Sequence, residues 1–339
     1  MRVLFIHARY KVRLVQESVR YLSPSVEAHT FVPVGNTWEL LASNIAGEVE
    51  RIKPDLVWTD HSFFGGHVPD TVPFVLVLRG DWWTEYSALP PAVLANFLQS
   101  QEYKAHVRGF EKAKRIIPLS VGLMKQVKKH FPNKACTVIP QGIDSSKWKP
   151  TPPTGALKHP SIAIIQNHSI RPKFEGLLQF VPVMRSLQRF HFYISEGQSQ
   201  LEPQTYLPRL KDAAKDLPNV TFIDIQTPEA VNNLFTETDL YVLPSGLDWC
   251  PTTLLEAGLM QRITVASRIP GIREVVREGV NGFTAENGNA QQWTVAVEKA
   301  QSLDGAKARE YVVKHFDWRV IMPQFERVFH AVVRDARHG

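Results

Sequence analysis

Short apolar runs alternate with longer amphipathic stretches along the whole chain, the pattern of βα units built around a mostly parallel sheet. In the first half these runs predict strands at Val3–His7, Leu56–Thr59, Phe74–Leu78, Ile116–Leu119 and Thr137–Pro140. Helical periodicity fills Thr37–Arg51, Ala92–Lys114 and Val121–His130. The proline-rich segment Lys147–Pro160 has no periodicity and reads as an interdomain linker. A second series follows, with strands expected at Ile162–Gln166, Phe190–Ser195, Val220–Ile223, Leu240–Leu243 and Thr264–Ser267. Its helices are expected at Phe174–Leu187, Pro208–Lys215, Pro228–Thr236, Thr252–Met260, Ala290–Gln301 and Ala306–Lys314. The economical α/β architecture is two facing Rossmann-like, doubly wound domains with an interdomain cleft, ligand lying at the carboxyl ends of the strands.

Composition narrows this picture more than it extends it. A chain of 339 residues suits two cores, divided as 1–150 and 151–316 with a terminal helix over 317–339. No apolar run approaches the ~20 residues that span a bilayer. The opening MRVLFIHAR reads as a buried strand rather than a signal peptide. Cys136 and Cys250 are too few for a disulfide framework and lack metal-ligand spacing, so a reducing cytoplasm is expected. The charge excess is lopsided: residues 1–150 hold 19 Lys+Arg against 13 Asp+Glu, a net +6 equal to that of the whole chain. It concentrates between Lys104 and Lys134, where nine basic residues face the single acid Glu111. Two readings stay open, a peripheral contact with anionic membrane and a plain solvated face. Nucleic acid fits less well, because no binding module or aromatic ladder accompanies the charge.

The chemistry concentrates in PSGLDWCPTTLLEAG, Pro244 to Gly258. Asp248 lies in a loop that opens into a helix, and Glu256 lies eight positions on, inside it. The backbone around Cys250, Thr252 and Thr253 then forms a helix N-terminus, whose free N–H groups and partial positive charge suit a diphosphate. A carboxylate one turn further in suits a ribose diol. The segment resembles the donor site of the retaining family-four (group 1) glycosyltransferases of the GT-B fold, whose E-x7-E signature ends in a similar P-x-x-L-L-E-A helix. Here Asp248 replaces the first Glu, and Trp249-Cys250 replaces the usual Gly-Phe. PDLVWTDH, RIIPLSVGLMKQVKKHF, TVIPQGIDSSKWKP and HFDWRVIMPQFERVFHAVV are similar to further landmarks of that family in the required order, the last to a helix crossing back to the first domain.

The resemblance implies a nucleotide-diphospho-sugar as donor substrate, with no separate cofactor. It also implies two cations on the loop after the second domain's first strand, here QNHSIRPKFEG. Lys173 matches the family lysine, placed just before a helix starting near Phe174; Arg171 is the expected second cation and His168 a stand-in. Asp248 would hold a donor-sugar hydroxyl and Glu256 the ribose. No D-x-D occurs, and no histidines have H-x3-H or H-E-x-x-H spacing, which points to a metal-independent reaction. The first domain departs from the family pattern. HARYKVR replaces a Gly-Gly loop, making Arg9 and Lys11 candidates, and VLRGDWWTEY places Arg79 and Asp81 at a strand end where a sugar or acceptor wall is expected. Trp82 and Trp83 would stack on a sugar or simply pack, and His61, followed by Gly65-Gly66, is another wall candidate. The reading is a retaining glycosyltransferase acting on a glycan, glycolipid or small hydroxyl acceptor. The alternative is a non-catalytic sugar-nucleotide-binding protein of the same fold.

Overall fold

The computed structural model describes residues 1–9, 12–35, 37–80, 83, 91–167, 171–196, 203–225 and 227–338. The chain divides into two compact units, Met1–Gly142 with Trp318–Gly339, and Ile143–Asp317. In the first unit, strands β1 (Arg2–Ile6), β2 (Glu27–Phe31), β3 (Leu56–Thr59), β4 (Phe74–Leu78) and β5 (Arg115–Pro118) form a parallel sheet in the order β2-β1-β3-β4-β5. Its helices are α1 (Val12–Val19), α2 (Trp38–Ile52), α3 (Ser62–Gly65), α4 (Pro91–Gln99), α5 (Gln101–Lys112) and α6 (Val121–His130). Every residue of β3 and β4 is buried, as expected where helices cover both faces of a parallel sheet.

Three differences from the periodicity have local causes. The expected helix Ala92–Lys114 is two helices, because Ser100 takes an extended conformation and caps α5 by accepting from Tyr103 N at 3.0 Å. Thr137–Pro140 is not a strand of the sheet. Cys136 makes an isolated bridge to Ile116, Thr137 and Ile139 donate to the β5 backbone, and Pro140 has no N–H to continue the ladder. The edge strand β2 escapes the apolar pattern because its sequence, EAHTF, is polar and half-exposed.

The second unit contains β6 (Ser161–Ile164), β7 (His191–Ser195), β8 (Val220–Ile223), β9 (Leu240–Leu243), β10 (Ile263–Ser267) and β11 (Gly282–Ala285). These strands are parallel and ordered β11-β10-β9-β6-β7-β8. Its helices are α7 (Arg171–Ser186), α8 (Pro203–Ala214), α9 (Pro228–Glu237), α10 (Thr252–Leu259), α11 (Pro270–Arg273), α12 (Ala290–Ala300) and α13 (Gly305–Phe316). Alternation along each strand feeds two cores. Ile162, Ile164, Phe192, Ile194, Leu240 and Val242 join one face, whereas Ala163, Ile165, Tyr193, Tyr241 and Leu243 join the other. The short strand β11 was hidden in the sequence inside a loop. Gly282 permits it, since a β-carbon there would overlap the carbonyl oxygen of Thr264 on β10. Carboxylates at the start of β9 fasten the linker: Glu237 accepts from the N–H groups of Thr154, Gly155 and Ala156, and Asp239 from Ser161 N and Oγ.

The last helix, α14 (Trp318–His338), belongs to the first unit. Its buried stripe of Trp318, Ile321, Met322, Phe325, Phe329 and Val332 has helical spacing. Phe329 meets Phe5 of β1 edge-on, and Arg337 pairs with Asp55 at 2.9 Å. At its start the Trp318 ring lies against Gly142, where any β-carbon would overlap it.

His106 on α5 makes the first unit acid-sensitive. It is buried, its Nδ1 lies 2.6 Å from Ser62 Oγ, and burial, reinforced by the nearby His61, lowers its pKa to about 3. Between about pH 6.5 and 3 the unfolded chain therefore holds the extra proton, and stability falls as pH falls. At pH 5 the cost is about 2 kcal/mol. His106→Gln is expected to flatten the decline in denaturant midpoint between pH 7 and pH 5; parallel curves for parent and variant would refute the assignment.

Candidate functional site

The strand order of the second unit reverses direction between β6 and β9, the two strands that lie side by side but are far apart in sequence. In an open parallel sheet the crevice beyond the carboxyl ends of such a pair is where ligands bind. The β6 loop runs into α7 and the β9 loop into α10. Glycines let the two backbones meet there. Gly246 N donates to Pro172 O at 3.1 Å, and a β-carbon on Gly246 would overlap that same oxygen. A β-carbon on Gly176 would overlap the carbonyl oxygen of Pro244. On the other side, Gly271 of α11 packs against the backbone of Asp248 and Trp249 with no room for a side chain.

This approach brings Lys173 and Asp248 together. Lys173 Nζ donates to Asp248 Oδ1 at 2.6 Å, with the two side chains 19% and 10% exposed. The other carboxylate oxygen, Oδ2, is buried and accepts no hydrogen bond among the described residues. Gln166, at the end of the β6 run and also buried, donates its amide to the Lys173 carbonyl at 2.9 Å. That contact fixes the amide orientation, because only the NH2 can face a carbonyl. Gln166 Oε1 is then left buried without a partner among the described residues. Both side chains bonded to Lys173 thus keep a buried atom that can only accept hydrogen bonds, Asp248 Oδ2 and Gln166 Oε1. The helix α7 starts at Arg171, three residues before the expected Phe174, so Arg171 and Lys173 share its first turn. Arg171 is not drawn to Asp248; its guanidinium is exposed and bonded to Glu175 one turn on, at 2.7 Å.

Helix α10 begins after Pro251, which offers no side chain to cap the first turn. Thr253 faces inward: its Oγ1 lies 2.8 Å from the hydroxyl of Tyr241, which also donates to Ile165 O at 2.8 Å. Burial pushes the Tyr241 phenol well above its ordinary range, so it stays protonated and works as a tie between β6 and the α10 N-terminus. Glu256 and Cys250 are half-buried, Cys250 packing against the core. The β9 loop is braced from below. Ser245 is fully buried and donates to Leu247 O, its own carbonyl accepts from Asn287, and Ser267 donates to Asn287 Oδ1 at 2.7 Å. Gln166, Tyr241, Ser245 and Asn287 were not anticipated from the sequence. A polar residue interrupting or directly following an apolar strand run is the signal that marks the first three.

In the first unit Arg79 and His61 occupy different settings. Arg79 Nε donates to the fully buried carboxylate of Asp60 at 3.1 Å and Nη1 donates to Gln141 Oε1, so the arginine is committed to a buried network. His61 packs among the rings of Phe63, Phe64 and His106. Arg9 is exposed after β1. Trp83 stacks on His130 at 4.6 Å and packs on Phe110. His168, Asp81, Lys11 and Trp82 lie outside the described residues. Among the described residues, no group of three or more His, Cys, Asp or Glu side chains is arranged to hold a metal ion.

Residues 164–302 match the family model described as Glycosyl transferases group 1. The matched segment runs from the last residue of β6 to just past α12 and takes in the loops that line the crevice. A segment of 115 residues is 30% identical to N-acetyl-alpha-D-glucosaminyl L-malate synthase of Bacillus anthracis. It covers 32% of this chain, and the chain spans 30% of that relative's length. Among solved structures, sucrose-phosphate synthase from Thermosynechococcus elongatus superposes with a TM-score of 0.74 at 14% identity, covering 99% of this chain and 100% of the other. HepE of Anabaena in complex with UDP gives a TM-score of 0.73 at 16% identity, covering 98% and 100%. At these identities the agreement concerns fold: two parallel-sheet Rossmann-like domains, as in GT-B glycosyltransferase structures.

The crevice predicts a specific coupling. Lys173→Met leaves the Asp248 carboxylate buried and unpaired, which is expected to cost on the order of 3 kcal/mol of stability. Adding Asp248→Leu should recover most of that loss, giving a large coupling energy in denaturant unfolding. Additive losses in the double variant would show that the pair is not coupled.

Proposed function

We propose that the protein is a retaining, metal-independent glycosyltransferase that moves a sugar from a nucleotide-diphospho-sugar to a hydroxyl of a glycan, glycolipid or small acceptor. The observation that carries this reading is the division of polarity around Lys173. The Lys173 ammonium and the uncapped N–H groups of α10 are donors, suited to an anion, whereas Gln166 Oε1 and Asp248 Oδ2 are acceptors that a phosphate oxygen cannot satisfy. A diphosphate linked to a polyhydroxyl sugar matches both sets at once. In the proposed reaction the bond from the anomeric carbon to the diphosphate breaks, and the acceptor oxygen bonds to that carbon on the same face. A departing phosphate oxygen takes the acceptor's proton. Charge growing on the diphosphate is met by Lys173 and the α10 backbone, which gain strength as the bond breaks. Asp248 and Gln166 hold sugar hydroxyls, and Glu256 holds the ribose diol. Uridine is the first base to test, since the similar HepE structures contain UDP and UDP-glucose. Arg79, His61, Arg9 and Asp81 remain candidates for the acceptor side.

A second reading, a non-catalytic sugar-nucleotide binder, is favoured by one observation: Arg171 spends its charge on Glu175. Kinetics separate the two. In the transferase, Lys173→Ala lowers turnover on the order of 10²–10³-fold while donor affinity changes far less, because the cation acts mainly on the transition state. Chelator leaves the parent unaffected. Measured donor hydrolysis or transfer that needs added metal would overturn the mechanism, and a parent that binds nucleotide sugars without turning them over would establish the binder.

The ribose assignment has its own measurement. Glu256→Gln is expected to weaken both the nucleotide sugar and the free nucleoside diphosphate by about 1.5–3 kcal/mol, as loss of a charge-assisted hydrogen bond does. Thermal shift or calorimetry on a nucleotide panel reads it directly. Equal diphosphate affinity in parent and variant would remove Glu256 from the ribose.

A further inference from the structure

No residue from Tyr86 to Gln101 is charged, in a chain where charged residues make up 21%. The described helix in this run, α4, nevertheless keeps most of its surface in solvent. Val93 is 49% and Leu98 44% exposed, Ala92 and Ala95 are exposed as well, and only Phe97 is buried. A surface helix ordinarily turns charge outward; this one turns out alanine, valine and leucine beside the neutral Asn96 and Gln99. Phe97 locks it against α5 through ring contacts with Tyr103 at 5.8 Å and His106 at 6.4 Å.

The neighbouring helices present the complementary property. Of the nine basic residues from Lys104 to Lys134, three are engaged internally. Lys112 binds Val68 O and pairs with Asp70, Lys128 donates to Pro132 O and Lys134 O, and Lys134 donates to Glu111 O and Ala113 O. Arg115 is half-buried. That leaves Lys104 and Arg108 on α5, Lys125 and Lys129 on α6, and Lys114 just after α5, all exposed and in no ion pair among the described residues, Arg108 feeling Asp70 only at longer range.

We propose that this face seats on an anionic lipid bilayer, α4 entering the boundary between headgroups and acyl chains while the exposed lysines and arginine lie against lipid phosphates. A bilayer surface offers both an apolar layer and fixed negative charge, which complement the exposed apolar residues of α4 and the exposed cations of α5, the helix that follows it directly after Ser100. A second copy of the chain is the poorer occupant, because pairing two such faces would bring their cations against one another. The inference uses no feature of the donor crevice and stands whether or not the chain transfers sugar.

Co-sedimentation of the full chain with vesicles tests it, using phosphatidylcholine alone or mixed with one-third phosphatidylglycerol. The parent is expected to bind the mixed vesicles strongly and the neutral ones weakly. Lys104→Glu/Arg108→Glu should reduce binding about 25-fold or more at low salt, about fivefold for each cation removed, with a smaller effect at high salt. Val93→Glu/Leu98→Glu should reduce it at least tenfold at both salts, with Val93→Ser/Leu98→Ser as the milder variant if the first misfolds by circular dichroism. Equal binding to both vesicle types, or α4 variants that bind like the parent, would overturn the proposal. So would a concentration-dependent dimer in sedimentation velocity that Val93→Glu/Leu98→Glu dissolves, since a second copy would then be the occupant.

Discussion

The close approach of two backbones, at Gly176–Pro244 and Gly246–Pro172, is the constraint on which the second unit's crevice depends. Any β-carbon at either glycine would separate the start of α7 from the β9 loop, and Lys173 would no longer reach Asp248 at 2.6 Å. The ion pair is therefore a consequence of packing rather than its cause. Burying both partners costs desolvation that their attraction offsets only with good geometry. Here the geometry is imposed by neighbours that are themselves tied down: Tyr241 holds the α10 N-terminus to β6, and the Ser245–Asn287–Ser267 chain holds the β9 loop to β10. The charged pair sits in a socket braced by contacts that do not involve it.

That bracing bears on how such a site would act. A cation held in place beforehand needs no reorganisation when negative charge develops nearby, which is the condition under which fixed charges stabilise a transition state most. Asp248 holds the Lys173 ammonium through one oxygen, while the other accepts no hydrogen bond among the described residues. That oxygen and Gln166 Oε1 are acceptors without a donor among the described residues, and burying an acceptor unpaired carries a cost that a hydroxyl ligand would remove. The donor-poor, acceptor-rich side of Lys173 and the donor-rich N-terminus of α10 give the crevice a direction.

Much of this was legible in the sequence, for physical reasons that also mark where legibility ends. Strands buried on both faces read as continuous apolar runs, so Leu56–Thr59, Phe74–Leu78 and Leu240–Leu243 agree with the structure at both ends. At the sheet edges the outcome differs: β8, Val220–Ile223, was legible, whereas β2 is polar and β11 depends on Gly282 tucked against Thr264. The loop-to-helix turn at Asp248–Thr253 was visible from its punctuation. The partnership of Asp248 with Lys173, 75 positions away, was not, because it is created by the parallel pairing of β6 and β9. The same limit explains Arg171. Sequence spacing sets it beside Lys173, whereas on a helix a residue three or four positions away competes for its charge, and Glu175 is such a residue.

The first unit shows the limit more sharply. Arg79 at the end of β4 was a candidate for a free cation at a binding wall, but it is committed on two sides, to Asp60 at the end of β3 and to Gln141 beyond β5. Asp60 is fully buried, so removing Arg79 would leave a carboxylate with its principal charge partner gone, a penalty larger than the loss of an ordinary surface contact. The network also binds the chain just before Gly142, where the first unit's main segment ends and the Trp318 ring leaves no room for a β-carbon. A charge that looks functional from its place at a strand's carboxyl end is thus also a structural clasp, joining β3, β4 and the segment after β5. Position at the active end of a sheet identifies where chemistry is placed, but only the partners of each charge tell which charges are available for it.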